Sequence, residues 1–336
     1  MKKLILLGFA FVIFGCGSNN HITDVKEVTG ATATQFANTI TASDLKTHLY
    51  IIASDEFEGR GTGEPGQKKA AEYLKNFYIS QNISSPFGGD DYFQEIPTAH
   101  LKPDLNPSEN VLAFIEGSEK PEEILVISAH YDHLGIRDGE IYNGADDDGS
   151  GNVAIMEIAE AFKKAAINGN GPKRSILFLH VTGEEKGLLG SKFYTNFPVF
   201  PLANTVTNLN IDMIGRVDDA HENNPDFVYV IGSYKLSSEL HSLSEDINSR
   251  FTNLILDYRY NDEEDPNRFY YRSDHYNFAK NNIPIIFYFN GTHDNYHRPS
   301  DTPDKINYEI LQKRTQLIFY TAWEIANREN RIVVDK

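Results

Sequence analysis

Residues 124–152 read ILVISAHYDHLGIRDGEIYNGADDDGSGN. An apolar run ends in His130, with Asp132 and His133 close behind. A continuous run of this kind reads as a strand buried in a parallel sheet. One glycine-rich loop later comes a Gly-flanked acidic triplet, Asp146, Asp147 and Asp148. Imidazole and carboxylate therefore stand at the edge of a buried strand. Oxygen and nitrogen donors with no nearby thiol suit a hard or borderline divalent cation, above all zinc. Taken alone, the same residues would also serve as a solvated acidic loop beside a hydrogen-bonded histidine.

On either side of this stretch strands and helices alternate. Apolar runs over 111–115, 124–130, 175–182, 205–212, 227–231 and 284–289 read as strands. Helical spacing marks 153–166, 188–196, 235–250, 274–281 and 308–327. Continuous apolar strands separated by helices predict an α/β fold, a three-layer sandwich with a mixed, mostly parallel sheet and helices on both faces. Two earlier helices, one carrying Leu45, Leu49 and Ile52 behind Ser43 or Asp44 as cap and one over 67–81, read as packing elements. The segment 84–107, with several prolines and glycines, reads as a loop or an edge hairpin near the site. There is no internal repeat and no second linker, which predicts one catalytic domain over 44–336.

The first residues have a different character. Lys2 and Lys3 precede an apolar run over 4–14, far short of the roughly 20 residues that span a bilayer. This is the layout of a secretion signal. Ile13-Phe14-Gly15-Cys16 also resembles the lipobox of bacterial lipoprotein signals, which makes 1–16 a signal segment ending at an acylated Cys16; an ordinary signal peptide cut nearby is the alternative. Residues 17–43, rich in Thr, Asn and Ala, read as a flexible tether. The expected location is the bacterial cell envelope, with the chain held to a membrane through lipid on Cys16. Cys16 is the only cysteine, so no internal disulfide is available and stability must come from a core. At 336 residues and 40% hydrophobic content the chain can bury one. A formal charge of −17 argues against nucleic acid as a partner.

The informative pattern is where polar residues fall relative to the strands. His130 ends one strand, Glu184 and Glu185 follow another, and Asp212 closes a third. Ligands of open α/β sheets bind outside the carboxyl ends of the strands, so three strand ends deliver His, Glu-Glu and Asp to one edge. The stretch 291–304, GTHDNYHRPSDTPD, adds His293, Tyr296 and His297 after the last apolar strand. Glu184 and Glu185, adjacent in an extended segment, point opposite ways, so one carboxylate can face a metal while its neighbour faces water or substrate. Asp146, Asp148, Ser150, Gly151 and Glu157 also fall at EF-hand loop positions, but the glycine-rich 135–144 supplies no incoming helix.

Together these residues resemble the co-catalytic di-zinc exopeptidases, a family of secreted bacterial aminopeptidases with glutamate carboxypeptidase and glutaminyl cyclase as relatives. The matching pieces, in family order, are His130-Tyr131-Asp132-His133, residues 144–151, Glu184-Glu185, Asn210-Ile211-Asp212-Met213, Ser273-Asp274-His275 and Tyr296-His297. The segment ending SDEFEGRGTG at Gly63 is similar to the family's N-terminal region. The resemblance implies that Asp147 bridges two Zn2+ ions, that His130 and Asp212 complete one site, and that Glu185 and His297 complete the other. Co2+ or Mn2+ could take the same positions. Glu184 is implied as general base, Tyr296 as donor to the developing oxyanion, and Asp132 as the carboxylate that orients His130 from behind. Two divalent ions against three carboxylates leave about one positive unit to favour a bridging hydroxide.

The activity implied is release of N-terminal residues from peptide substrates. A carboxypeptidase stays open, with Arg216, Arg268, Arg272 and Arg298 as candidate carboxylate readers; so do a glutaminyl cyclase and a non-catalytic envelope binding protein. Tyr258, Tyr260, Phe269, Tyr270 and Tyr271 either wall a pocket or stiffen an exposed hairpin. Side-chain preference and oligomeric state are not legible.

Overall fold

The structure is a computed structural model that describes residues 30–336. The signal segment, Cys16 and the first part of the tether lie outside the described residues. The later part of that tether is not a tether. Gly30–Ala37 is a helix, α1, in which Ala33, Phe36 and Ala37 are buried and the Phe36 ring stacks on Trp323 with centroids 5.9 Å apart. Two turns of helix are too short to show a sustained apolar period, and the packing that orders them comes from residues nearly 300 positions away.

Helices α2 (Ala42–Ile52) and α3 (Pro65–Ser80) follow, the first capped by the Thr41 hydroxyl, 3.1 Å from the Asp44 amide. Strands β1 (Phe93–Ile96), β2 (Ser108–Ile115) and β3 (Lys120–His130) come next, then a small hairpin of β4 (Gly135–Arg137) and β5 (Glu140–Tyr142). After the acidic triplet the chain runs through α4 (Gly151–Ile167), β6 (Arg174–Val181), α5 (Leu189–Asn196), β7 (Thr205–Ile211) and β8 (Phe227–Ile231). It ends with α6 (Ser238–Phe251), β9 (Ile255–Asp257), α7 (His275–Ala279), β10 (Ile285–Phe289) and α8 (Tyr308–Asn327).

The main sheet has eight strands in the order β1-β2-β6-β3-β7-β10-β8-β9. Its centre, β6-β3-β7-β10, is parallel throughout. Alternation along each central strand divides its apolar side chains between two layers. Leu125, Ile127, Ile176 and Phe178 pack under α1, α2, α4 and α8, while Ile124, Val126, Leu177 and Leu179 pack against Tyr194 of α5 and Phe278 of α7. The chain is thus the three-layer sandwich that the strand–helix alternation predicts, and 84–107 contributes an antiparallel edge strand, β1. Because β3 has β6 on one side and β7 on the other, the strand order reverses at β3, and the crevice lies at its carboxyl end.

Candidate active site

Four parallel strands ending at one edge bring the separated motifs together. His130 is the last residue of β3, Glu184 and Glu185 follow β6, Asp212 follows β7, and the loop bearing Tyr296 and His297 follows β10. Asp147 lies between the two groups. Its Oδ1 is 3.2 Å from His130 Nε2, which is in turn 3.6 Å from Asp212 Oδ1. Its Oδ2 is 3.0 Å from His297 Nε2, and that nitrogen is 3.2 Å from Glu185 Oε1. Donors on a tetrahedral zinc at 2.0–2.1 Å stand about 3.3 Å from one another. The spacing fits two adjoining cation cages: His130, Asp148 and Asp212 offer ligand atoms within 4.8 Å of one another, as do His133, Asp147 and Glu185, with Asp147 facing both, and Asp148 Oδ2 and Glu185 Oε1 are buried without a hydrogen-bond donor.

The electrostatics point the same way. Burial opposes the charged form of Asp147, but His133 and His130 outweigh it and hold the carboxyl well below its usual range. Burial likewise works against a charged His297, yet Asp147 and Glu185 raise it to about 9. The adjacent glutamates diverge. Burial pushes Glu184 well up, whereas His133 and His297 overcome burial and bring Glu185 down to about 2. Glu185 sits among imidazoles and Glu184 lines the cavity, so the pair does divide its environments, but through a turn closed by Gly187 N and Leu188 N on the Glu184 carbonyl rather than through the extended segment expected from the sequence.

The loop is held by a frame largely unreadable in the sequence. Asp148 Oδ1 accepts from the amides of Gly151 and Met213, at 2.9 and 3.0 Å, and Asp146 Oδ1 accepts from Gly215 N at 2.7 Å. Two acids of the triplet therefore tie it to its own helix and to the turn after β7, which is not an EF-hand arrangement. The Asp301 carboxylate caps the amides of Asp146 and Asp147 at 3.0 and 3.2 Å. Arg60, fully buried, donates to the carbonyls of Ile52, Tyr131, Asn143 and Gly144 at 2.7–2.9 Å. Asn152 Nδ2 reaches the carbonyls of His130 and Asp148, both at 2.6 Å. Gly144 has φ +54°, and a Cβ there would lie 2.5 Å from the His133 ring.

Two further details differ from the sequence reading. The close partner of His130 Nδ1 is the main-chain carbonyl of Asp132, at 3.0 Å, with the carboxylate at 3.8 Å. The Asp132 carboxylate instead accepts from the Glu184 amide at 3.1 Å and the Thr62 hydroxyl at 2.6 Å, so it positions the glutamate turn. The second concerns His133, which carried no role in the sequence. It is fully buried, with Nδ1 3.0 Å from Glu185 Oε1 and 3.7 Å from Asp147 Oδ2, a further donor for the second cage. Its place in HYDH was the available signal. Ser273, from the Ser-Asp-His motif, donates to Asp212 Oδ2 at 2.6 Å.

A cavity of about 40 Å³ opens on this centre. Its polar side carries His130, Asp147, Glu184, Asp212 and His297, and its apolar wall carries Met213, Phe269, Phe287 and Phe289 beside Tyr296. The aromatic cluster is therefore divided. Phe269 walls the cavity and Tyr260 packs behind it at 4.7 Å, whereas Tyr258 packs on His241 and Tyr271 is 40% exposed. Of the four candidate arginines Arg272 alone lines the cavity; Arg216 bonds Asn295 at 2.9 Å.

Comparison with known proteins agrees with this geometry. The family model described as peptidase family M28 matches residues 110–322. Leucine aminopeptidase 2 of Trichophyton rubrum is 27% identical over 241 residues, covering 65% of this chain and 44% of that protein. A probable zinc metalloprotease of Pyrenophora tritici-repentis is 38% identical over 116 residues, 32% of this chain and 22% of that one. The chain thus spans less than half the length of these curated relatives. Among solved structures, the LapA aminopeptidase of Legionella pneumophila superposes with a TM-score of 0.70 at 21% identity, covering 97% of this chain and 81% of that one. Glutaminyl cyclase of Porphyromonas gingivalis gives 0.66 at 17% identity, covering 84% and 97%. At such identities the likeness is one of fold. The family match is longer and runs from β2 into α8 through every residue of the two cages, and by it the chain belongs to peptidase family M28.

Proposed function

We propose that the protein is a zinc-dependent exopeptidase, an aminopeptidase that removes N-terminal residues from peptides. The observation that carries this reading is the single carboxylate, Asp147, facing imidazole on both of its oxygens, with Glu184 standing free beside it. His130, Asp147 and Asp212 would hold one zinc ion, and Asp147, Glu185 and His297 the other, with His133 against the second. When bound, the metal supplies Lewis-acid polarisation of the attacking water and of the scissile carbonyl.

The remaining work falls to side chains. Glu184, held at its amide by Asp132, takes the proton of the attacking water on a carboxylate oxygen and passes it to the leaving nitrogen. Burial keeps the Tyr296 phenol protonated, so its hydroxyl can donate to the carbonyl oxygen as charge develops there. Phe269, Phe287 and Phe289 exclude water from the apolar wall. Arg272 is the one candidate carboxylate reader that lines the cavity, and the likeness to a relative named leucine aminopeptidase favours a free amino terminus over the carboxypeptidase alternative.

Metal analysis paired with a peptide panel tests the reading. Two zinc ions per chain and cleavage restricted to peptides with free amino termini are expected; release of C-terminal residues from N-blocked peptides would overturn it. The sequence pattern at 13–16 further supports export and lipid attachment at Cys16. Palmitate labelling that is lost in Cys16→Ala is the expected result, and an unlabelled wild type would remove the anchor from the proposal.

A further inference from the structure

A second cavity, of about 340 Å³, begins one residue beyond Glu185, at Lys186. Thr62 and Leu105 form one wall, and Leu134, Ile136 and Arg137 of the β4 segment form the other. It shares no lining residue with the catalytic cavity but is tied to the same centre. Leu134 directly follows His133, and the Thr62 hydroxyl bonds the Asp132 carboxylate that holds the Glu184 amide.

The catalytic cavity, at about 40 Å³, has room for little more than the reacting end of a peptide, since a single water already needs about 10–15 Å³ on the same measure. Whatever follows the scissile bond must lie elsewhere, and the larger groove starts beside the metal ligands. Its charges are unevenly engaged. Glu58 pairs with Lys69 at 3.4 Å and Glu64 accepts from Asn106 at 3.2 Å. The Lys186 ammonium has no partner among the described residues, and Arg137 meets only the Leu134 carbonyl at 3.2 Å and the Tyr142 ring. Asn106 leaves the Glu64 charge in place, yet Lys186 and Arg137 have no carboxylate partner among the described residues and stand together at the β4 side of the groove, free to meet an anion. Ile136, 56% exposed, gives that groove an apolar contact as well.

Building on the aminopeptidase reading, we propose that this groove receives the part of the peptide beyond the scissile bond, and that Lys186, with Arg137, is a specificity-determining residue that reads a carboxylate there. The carboxylate can be the C-terminus of a short peptide or an acidic side chain next to the cleaved bond; the chemistry of recognition is the same.

Four dipeptide substrates separate the two sources. Leu-Ala against Leu-Ala-amide reports the terminal carboxylate, and Leu-Asp-amide against Leu-Asn-amide reports the side-chain one. Wild type should favour the acid of at least one pair by about three- to fivefold in kcat/KM, carried by KM and weakened by salt. In Lys186→Gln that ratio should fall towards one, and in Lys186→Arg it should return. A ratio taken within one enzyme is unaffected by the folded fraction. Equal rates within both pairs for wild type, or a preference that survives Lys186→Gln, would overturn the groove assignment while leaving the aminopeptidase reading standing. Failure of wild type to cleave any of the four would overturn both.

Discussion

Asp147 and Glu157 are ten residues apart in the chain, both buried, and in opposite circumstances. At the sheet edge, Asp147 has imidazole nitrogens at 3.2 Å and 3.0 Å from its two oxygens. Inside α4, neither oxygen of Glu157 has a hydrogen-bond partner, and its nearest base, His48, stands 3.6 Å away. Burial lowers His48, which weakens that imidazole as a countercharge. Burial, with Glu160 and Asp44 adding to it, pushes Glu157 up to about 8, whereas Asp147 is held well below its usual range. Desolvation of a carboxylate is thus common to a catalytic edge and to a structural helix layer. Convergence of independent donors on one point sets the catalytic edge apart.

The largest expected effect breaks the chemistry and leaves the cages intact. Glu184→Gln should keep its zinc by elemental analysis and lose roughly 10³- to 10⁴-fold in kcat; turnover near wild type would remove Glu184 from the role of base. Asp147→Asn comes next, because it takes charge from both cages at once. Zinc content should fall from two ions per chain towards none, whereas His297→Ala should spare the ion at His130. Loss of one ion only in Asp147→Asn would mean that the carboxylate is not shared.

A smaller change sharpens the contrast from behind the ligands. Ser273→Ala deletes the hydroxyl on Asp212 Oδ2 and should weaken zinc affinity by about 10-fold or more, measured by competition with a chelator. The last effect is on stability, away from the chemistry, and belongs to the helix layer. Folded Glu157 keeps its proton up to about pH 8, while the unfolded carboxyl loses it near 4.5. The stability it contributes is intact below pH 4.5 and is lost as pH rises through 8. Wild type should therefore lose on the order of 4 kcal/mol between pH 5 and 8.5 that Glu157→Gln does not lose, by denaturant titration at each pH. Parallel profiles would show that Glu157 has a partner in solution.

All the residues of the two cages except His133 were legible, because each belongs to a local pattern. His130, Glu184-Glu185 and Asp212 come at or just past the end of an apolar run, His297 lies in the loop that follows the last such run, and an apolar run announces its strand without reference to the rest of the chain. Their order along the chain, with parallel connections, was enough to send them to one edge. The aromatic segment around 258–271 was legible only as a choice, since apolar rings suit a pocket wall and a packed turn equally.

The sequence by itself determined the layer architecture, the donor types and the edge at which they meet, because periodicity and strand ends are properties of neighbours in the chain. Tertiary structure alone decided which atoms do the holding. The Asp301 carboxylate caps amides 154 and 155 residues away, Arg60 gathers carbonyls up to 84 residues away, and α1 is ordered against α8 at the other end of the domain. The choice of the Asp132 carbonyl over its carboxylate as the partner of His130 is of the same kind. Such contacts follow from the path of the backbone in three dimensions, and a single hydrogen bond across a long loop leaves no periodic trace in the residues between its ends.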